Sequence, residues 1–274
     1  MIEAPFQAET KASRHSTLIF SIALNGYQWR YFKHLASHRA YAQKHDYHYE
    51  VVTKPFYSPM GINCCWLKLT LMYTALRAGY QQVMFVDADA YINDNCPPLN
   101  TMFVPEKSIY MAKGYSHRFN SGVMIIRNCL QARNWLKRII THRHDKVEPQ
   151  HDVGWGENSH VISHSEGCRF IKEIPQEWNN TSSYCLTDFI RHHNYGPLRS
   201  GSFERATHYL MFVLANKIAK LQRLFTKKPK TSRRDDLLFE QTQKTLHNFP
   251  NFCHRAIIES PQDTSSSLNS RLAK

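Results

Sequence analysis

The sequence predicts an α/β fold: an α/β/α sandwich on a mostly parallel central sheet, with a C-terminal helical extension. Short apolar runs alternate with segments of helical periodicity through the first half of the chain, the pattern of strands joined by crossover helices. The first of these runs is apolar almost without interruption, as expected of strands covered on both faces. Two runs also end in polar turns, Asn25-Gly26 and Asp87-Ala88-Asp89. In open α/β sheets ligands bind beyond the carboxyl ends of strands, so both turns mark one end of the sheet as the site.

Residues 17–24 (Thr-Leu-Ile-Phe-Ser-Ile-Ala-Leu) form the first strand. Residues 27–44 follow with Phe32, Leu35, Ala36 and Ala40 at helical spacing. A second strand is expected at 47–53 and a loop at 55–61. A helix over 66–78 carries Trp66, Leu69, Tyr73 and Leu76 on one face and is stopped by Gly79. Residues 82–86 make a third strand running straight into Asp87. Further strands are expected at 108–112, 122–127 and around 168–174, with a helix at 130–142 and a polar loop at 144–158. Residues 203–225 read as an amphipathic, increasingly basic helix, 227–234 as a charged linker and 235–249 as a last helix. The expected division is an N-terminal segment 1–16, a body 17–202, a helical extension 203–249 and a polar, disordered tail 250–274.

The chain has 274 residues, enough to bury a sizeable core. Its 35 Lys and Arg against 22 Asp and Glu give a formal net charge of +13, which favours anionic partners. No nucleic-acid-binding motif accompanies that charge, and no nucleic acid is expected as a partner. Seven cysteines without a C-x-x-C pair suit free thiols in a reducing compartment. The first 16 residues lack an apolar signal-peptide core, and the aliphatic run at 209–215 is far short of the ~20 residues that span a bilayer. The expected location is therefore cytoplasmic. The sequons at Asn179 and Asn180 carry little weight there.

The most informative motif is Asp87-Ala88-Asp89 at the end of a buried strand and before Ala90-Tyr91-Ile92. Hard divalent cations such as Mn²⁺ and Mg²⁺ take oxygen ligands and commonly share a few carboxylates with substrate phosphates. A diphosphate leaving group needs that charge neutralised. A lone D-x-D also ends ordinary strands; here the flanking strand on one side and the apolar continuation on the other favour a site.

With these surroundings the segment resembles the D-x-D motif of nucleotide-sugar glycosyltransferases with the GT-A fold. It is most similar to retaining families typified by glycogenin-like enzymes and yeast galactosyl- and mannosyltransferases. The resemblance covers roughly residues 17–200 and rests on several motifs in order. It implies that Asp87 contacts the ribose and the metal and that Asp89 coordinates the metal. A late H-x-x-G-x-x-K element is matched by His193, Gly196 and Arg199, with Arg in place of Lys. That implies His193 in the metal shell, and Gly196 and Arg199 at the diphosphate, where a guanidinium also serves. His192 competes as the ligand, and one residue of register stays open.

The resemblance implies that an N-S/T-G element, Asn120-Ser121-Gly122, lines the sugar, with Gly122 allowing close backbone approach; a turn before a core strand is the alternative. The loop 151–158 carries Asp152, Trp155 and Glu157; the two acids are candidates for acceptor contact or for stabilising developing positive charge, and their roles stay undivided. A capped helix start at Glu157-Asn158 is the plainer alternative. Ala23, Asn25 and Tyr27 match the family's nucleobase position; Lys68 matches a basic slot of the yeast-type enzymes or is a solvated helix lysine, and Trp178-Asn179 matches a W-N element or is a core Trp followed by a turn Asn.

The expected function is a metal-dependent hexosyltransferase using a nucleotide diphosphate sugar (UDP- or GDP-linked) and a glycan or glycolipid acceptor. Leu210, Phe212, Val213, Ile218 and Leu221 interleave with Lys217 and Lys220, so the segment 203–230 suits either an anionic membrane surface or packing on the body. Two other functions compete. A haloacid-dehalogenase-type phosphatase also uses D-x-D after a strand, but here Ala90-Tyr91 follows and the late acidic pair, Asp235-Asp236, sits in a charged segment. A non-enzymatic basic module binding membrane or nucleic acid explains the charge and leaves the placement of the carboxylates unexplained.

Overall fold

Strands and helices follow one another as β1 (Thr17–Ile22), α1 (Tyr27–Arg30), α2 (Phe32–Lys44), β2 (His48–Val52), α3 (Leu67–Arg77), β3 (Gln82–Val86), β4 (Ala90–Ile92), β5 (Ile109–Met111), β6 (Val123–Arg127), α4 (Leu130–Thr141), α5 (Asn158–Ser165), β7 (Ile171–Glu173), β8 (Ile190–His192), α6 (Ala206–Phe225) and α7 (Arg234–Asn248). The structure, a computed structural model, describes residues 16–253 except 57, 59, 155, 195–196, 200–202, 204 and 226–233. Gly196, Trp155, most of the charged linker and the tail beyond 253 lie outside the described residues.

Six strands form one sheet in the order β2-β1-β3-β6-β5-β7. Strands β1, β2 and β3 are parallel, β6 runs antiparallel to both β3 and β5, and β7 is parallel to β5. Five strands thus share a direction and β6 alone is reversed. The mostly parallel α/β sandwich expected from the sequence is the fold observed. The residues of β1, β3 and β6 alternate between two cores, as the two-residue period of a strand requires. Leu18, Phe20, Val83, Phe85, Met124 and Ile126 face α3 and α4, where they meet Leu69, Met72, Trp135 and Leu136. Ile19, Met84, Val86 and Ile125 face Tyr41 and Ala42 of α2. Burial on both sides explains why these strands read as continuous apolar runs.

The expected helix over 27–44 is divided at Tyr31, whose φ of −112° interrupts it between α1 and α2. Two three-residue strands were not legible. Strands β4 and β8 pair antiparallel in a small second sheet, with Ala90 opposite His192 and Ile92 opposite Ile190. Helix α2 clamps β4: His38 Nε2 lies 2.7 Å from the Ala90 carbonyl, and Ser37 Oγ accepts the Ile92 N–H at 3.0 Å. Burial, outweighing that hydrogen bond, pushes His38 down to about 3, so the ring is neutral and its Nε2–H donates. Helix α5 begins at Asn158, the plainer alternative that the sequence offers for the end of the 151–158 loop.

The C-terminal part sits on the body. Thr242 of α7 hydrogen-bonds Thr70 of α3 at 2.8 Å, and Leu238 enters the core. A 3-10 helix, Pro250–Phe252, follows. Phe252 is fully buried, its ring edge-on to Phe20 at 5.1 Å. Phe252 therefore belongs to the core, and residues 250–252 are ordered as a 3-10 helix where the sequence placed the start of a disordered tail. The short Phe-Pro-Asn-Phe run gives too little periodicity to show this. Phe252→Ala is expected to destabilise the protein by about 3–5 kcal/mol, the usual cost of emptying a buried aromatic site. Urea unfolding checks it, and a loss below about 1 kcal/mol would remove Phe252 from the core.

Candidate metal centre

Strand β3 delivers Asp87 at its carboxyl end, and β6, being antiparallel, starts at the same end. The Asp87 N–H donates to the Gly122 carbonyl at 2.7 Å, next to the Val86–Val123 pair of the sheet. Asp89 immediately precedes β4, whose partner β8 ends at His192. Strand pairing thus brings an imidazole from more than a hundred residues away against the two carboxylates. His192 Nε2 lies 3.2 Å from Asp89 Oδ1 and 3.7 Å from Asp87 Oδ2. Ligand atoms of the three groups all lie within 4.8 Å of one another. The His192 side chain is 2% exposed, while Asp87 and Asp89 keep 35% and 25% of theirs open, so the cluster is walled on the histidine side and accessible on the other.

The histidine is held in one tautomer. Asn179 Nδ2 donates to the carbonyl and the Oδ1 of Asn120, at 3.2 and 3.0 Å. Its amide oxygen therefore faces His192 Nδ1 at 2.9 Å, and Nδ1 carries the proton. The Nε2 lone pair is left to face the carboxylates, the usual way an outer partner prepares a metal-binding imidazole. Gly122 has no side chain for a direct reason. A Cβ there would lie 2.1 Å from His192 Cε1, 2.7 Å from its Nδ1 and 2.8 Å from Asp87 Oδ2. The close backbone approach expected at Gly122 is made to the histidine and Asp87.

The donor set fits a hard divalent cation. An octahedral shell with bonds of about 2.1 Å has edges near 3 Å, comparable to the separations of these ligand atoms. Two carboxylates with one imidazole suit Mn²⁺ and remain compatible with Mg²⁺. Burial raises Asp87, and Asp89 beside it adds to the push while Lys68 opposes it, leaving the carboxyl at about 6. Burial works the same way on Asp89, but His192 outweighs it and holds that carboxyl below its ordinary value. For His192, burial lowers the pKa and the two carboxylates more than offset it, so the ring is held above its usual value. A cation must displace those protons. Affinity for Mn²⁺ is therefore expected to fall as pH drops from about 7.5 to about 5.5, by up to about tenfold per unit for each proton displaced. Calorimetric titration at the two pH values checks this, and a constant affinity would contradict it.

Behind Asp87 lies a buried ion pair. Lys68 Nζ is 2.8 Å from Glu157 Oε1 and 3.7 Å from Asp87 Oδ1, and donates to the Ser121 carbonyl at 3.2 Å. Ser121 Oγ donates to Glu157 Oε1 at 2.6 Å. Lys68 and Glu157 are both buried. Burial raises Glu157, but Lys68 outweighs it and keeps the carboxyl ionised. Glu157 and Lys68 are thus counter-ions to each other behind Asp87, and the Ser121 hydroxyl turns towards Glu157.

The remaining expected residues fall in several places. His193, expected in the metal shell, turns away: its Nδ1 lies 2.7 Å from the Leu198 carbonyl and its ring 5.2 Å from that of His34. His192, the competing candidate, is the histidine whose Nε2 faces Asp87 and Asp89. His34 was not singled out, since nothing in its surroundings distinguishes it from a helix-surface residue. Burial first, then the neighbouring His193, push it down to about 4. Asp152 is exposed, and its Oδ1 accepts from the Gly154 N–H at 2.7 Å and Ser159 Oγ at 3.1 Å, as a turn-forming residue does. Asn120 Oδ1 accepts the Gly122 N–H at 2.9 Å. Arg199 is exposed. Ala23 is buried against Leu35 and Ala88. Asn25 adopts a left-handed φ of 56° and accepts the Ser58 N–H at 3.2 Å. Tyr27 is exposed, its ring 5.8 Å from those of Tyr31 and Phe212.

No protein-family model matches the sequence, and a search of curated proteins finds no relative. Solved structures do match. A glycosyltransferase involved in glycosylating the major capsid of PBCV-1 aligns over 75% of this chain and 98% of its own, at 12% identity with a TM-score of 0.54. The galactosyltransferase LgtC, solved with donor and acceptor sugar analogues, covers 80% and 99% at 11% identity with a TM-score of 0.46. The apo glycosyltransferase GlyE of Streptococcus pneumoniae TIGR4 covers 80% and 66% at 12% identity, with a TM-score of 0.45. The first likeness establishes a shared fold, the GT-A sandwich; the other two superpose too loosely to add to it.

Proposed function

We propose that the protein is a metal-dependent glycosyltransferase, moving a hexose from a nucleotide diphosphate sugar, UDP- or GDP-linked, to a hydroxyl of a glycan or glycolipid. One observation carries this reading. Asp87, Asp89 and His192 converge at the ligand end of a GT-A sheet, with their open side facing outward. Asp87, Asp89 and His192 would hold the cation, Mn²⁺ or Mg²⁺. When bound, it supplies positive charge against which the diphosphate departs. Asn179 keeps the Nε2 lone pair of His192 directed at that place, and Lys68 with Glu157 fixes the carboxylate of Asp87. Arg199, on the segment after His193, is proposed to bind the donor diphosphate, and Asn25 and Tyr27 the nucleobase. Asn120 remains the proposed sugar contact. The narrower similarity to glycogenin-like and yeast enzymes favours retention of anomeric configuration.

Turnover of a panel of UDP- and GDP-sugars with Mn²⁺, and its loss on adding EDTA, tests the proposal. At least one donor is expected to be consumed. Release of phosphate from a phosphomonoester, with no donor consumed, would favour the phosphatase instead, and inactivity towards every donor would favour a binding protein.

A further inference from the structure

Helix α6 presents two apolar faces, and among the described residues only one is packed on the body. The inner face is fixed on the body: Phe212 meets Tyr27 at 5.8 Å, His208 meets Phe32 at 4.9 Å, and Asn216 Nδ2 donates to the Asn25 carbonyl at 3.2 Å. Ala215 approaches Gly26 so closely that a Cβ at Gly26 would lie 2.8 Å from it. The opposite face carries Leu210, Leu214, Ile218 and Leu221, which are 64, 49, 46 and 56% exposed. Their spacing of four, four and three residues makes one continuous stripe along the helix. The expected alternative, in which the apolar side of this segment is spent on packing, accounts for Phe212 and, among the described residues, leaves this stripe uncovered.

We propose that this stripe lies on an anionic lipid surface. Lys217 and Lys220 are exposed beside it, and the sequence continues with Lys227, Lys228, Lys230, Arg233 and Arg234. A helix with apolar side chains on its outer face and flanking lysines rests in the interface of a bilayer containing acidic lipids. A second copy of the chain is the poorer occupant, because each copy carries +13 and repels the other. Among the described residues no helix is long and apolar enough to cross a membrane, so contact through α6 is peripheral. The inner face of α6 covers the Asn25–Gly26 turn at the carboxyl end of β1, the same end of the sheet as Asp87. Resting on the transferase reading above, this places the lipid surface on the side of the protein where ligands bind, and the acceptor class it fits is a lipid-linked glycan.

Co-sedimentation of the full chain with sucrose-loaded vesicles tests the surface without any catalysis. Vesicles of phosphatidylcholine with one third phosphatidylglycerol are expected to bind the protein at least about tenfold more tightly than pure phosphatidylcholine vesicles. The triple variant Leu214→Glu, Ile218→Glu, Leu221→Glu is expected to lose at least about tenfold of that affinity with an unchanged unfolding midpoint, since these side chains face solvent. Equal binding of variant and wild type, equal binding to both vesicle types, or a dimer in light scattering that the variant abolishes would each overturn the proposal. Vesicle binding by a protein that turns over no nucleotide sugar would remove only the acceptor assignment.

Discussion

Asp89→Asn is expected to lower metal-dependent donor turnover by at least about a thousandfold while leaving the fold intact. Asn keeps the size of the side chain and one oxygen, but removes the charge that a hard cation requires. It also removes the carboxylate nearest His192, 3.2 Å from Nε2, so the imidazole loses its closest electrostatic partner. The side chain is partly open and not part of the hydrophobic core, so a folding defect is not the expected cause of lost turnover. Turnover of the preferred donor with saturating Mn²⁺, measured beside the urea unfolding midpoint, separates the two effects. Activity within about tenfold of wild type would mean that Asp89 holds no catalytic charge.

His192→Ala and His193→Ala are expected to part company. The first is expected to cost about 100- to 1000-fold in turnover, as loss of a ligand and of a preorganised electrostatic group does. The second is expected to stay within about tenfold, because His193 is engaged with the Leu198 carbonyl and the ring of His34. The distinction rests on strand register. Alternate side chains of a strand point to opposite sides, so a slip of one residue in β8 would exchange the two histidines. The register is pinned by the Ala90–His192 pair, by the Asn180 carbonyl accepting the His192 N–H at 2.8 Å, and by the Asp89 carbonyl accepting the His193 N–H at 3.0 Å. A larger loss from His193→Ala than from His192→Ala would make His193 the functional histidine, as the H-x-x-G-x-x-K spacing implies.

The sheet was legible in the sequence because its central strands are buried on both faces and bounded by turns. Hence residues 17–24, 82–86 and 122–127 stood out, and with them the carboxylates at the end of β3. What escaped was short or non-local. Strands β4 and β8 have three residues each, below any periodicity, and only their pairing decides which histidine reaches Asp89. The D-x-D spacing pointed to a cation, yet nothing in Glu157 or Lys68 taken singly reveals that they neutralise each other inside the body. Acidic and basic residues in a Gly-rich loop and on a helix read equally well as exposed groups, and the 2.8 Å ion pair is a tertiary fact. Gly122 and Asn179 fall between these cases. Their motifs were visible, but the object they serve, the ring of His192, was not.

A crystal grown with MnCl₂ and a nucleoside diphosphate, with data collected at the manganese absorption edge, addresses the metal centre without reference to activity. One anomalous peak is expected within about 2.0–2.4 Å of Asp89 Oδ1, an Asp87 carboxylate oxygen and His192 Nε2, with diphosphate oxygens completing the shell. A peak bound by other residues, or by His193, or no peak at all where Asp87, Asp89 and His192 meet, would contradict it.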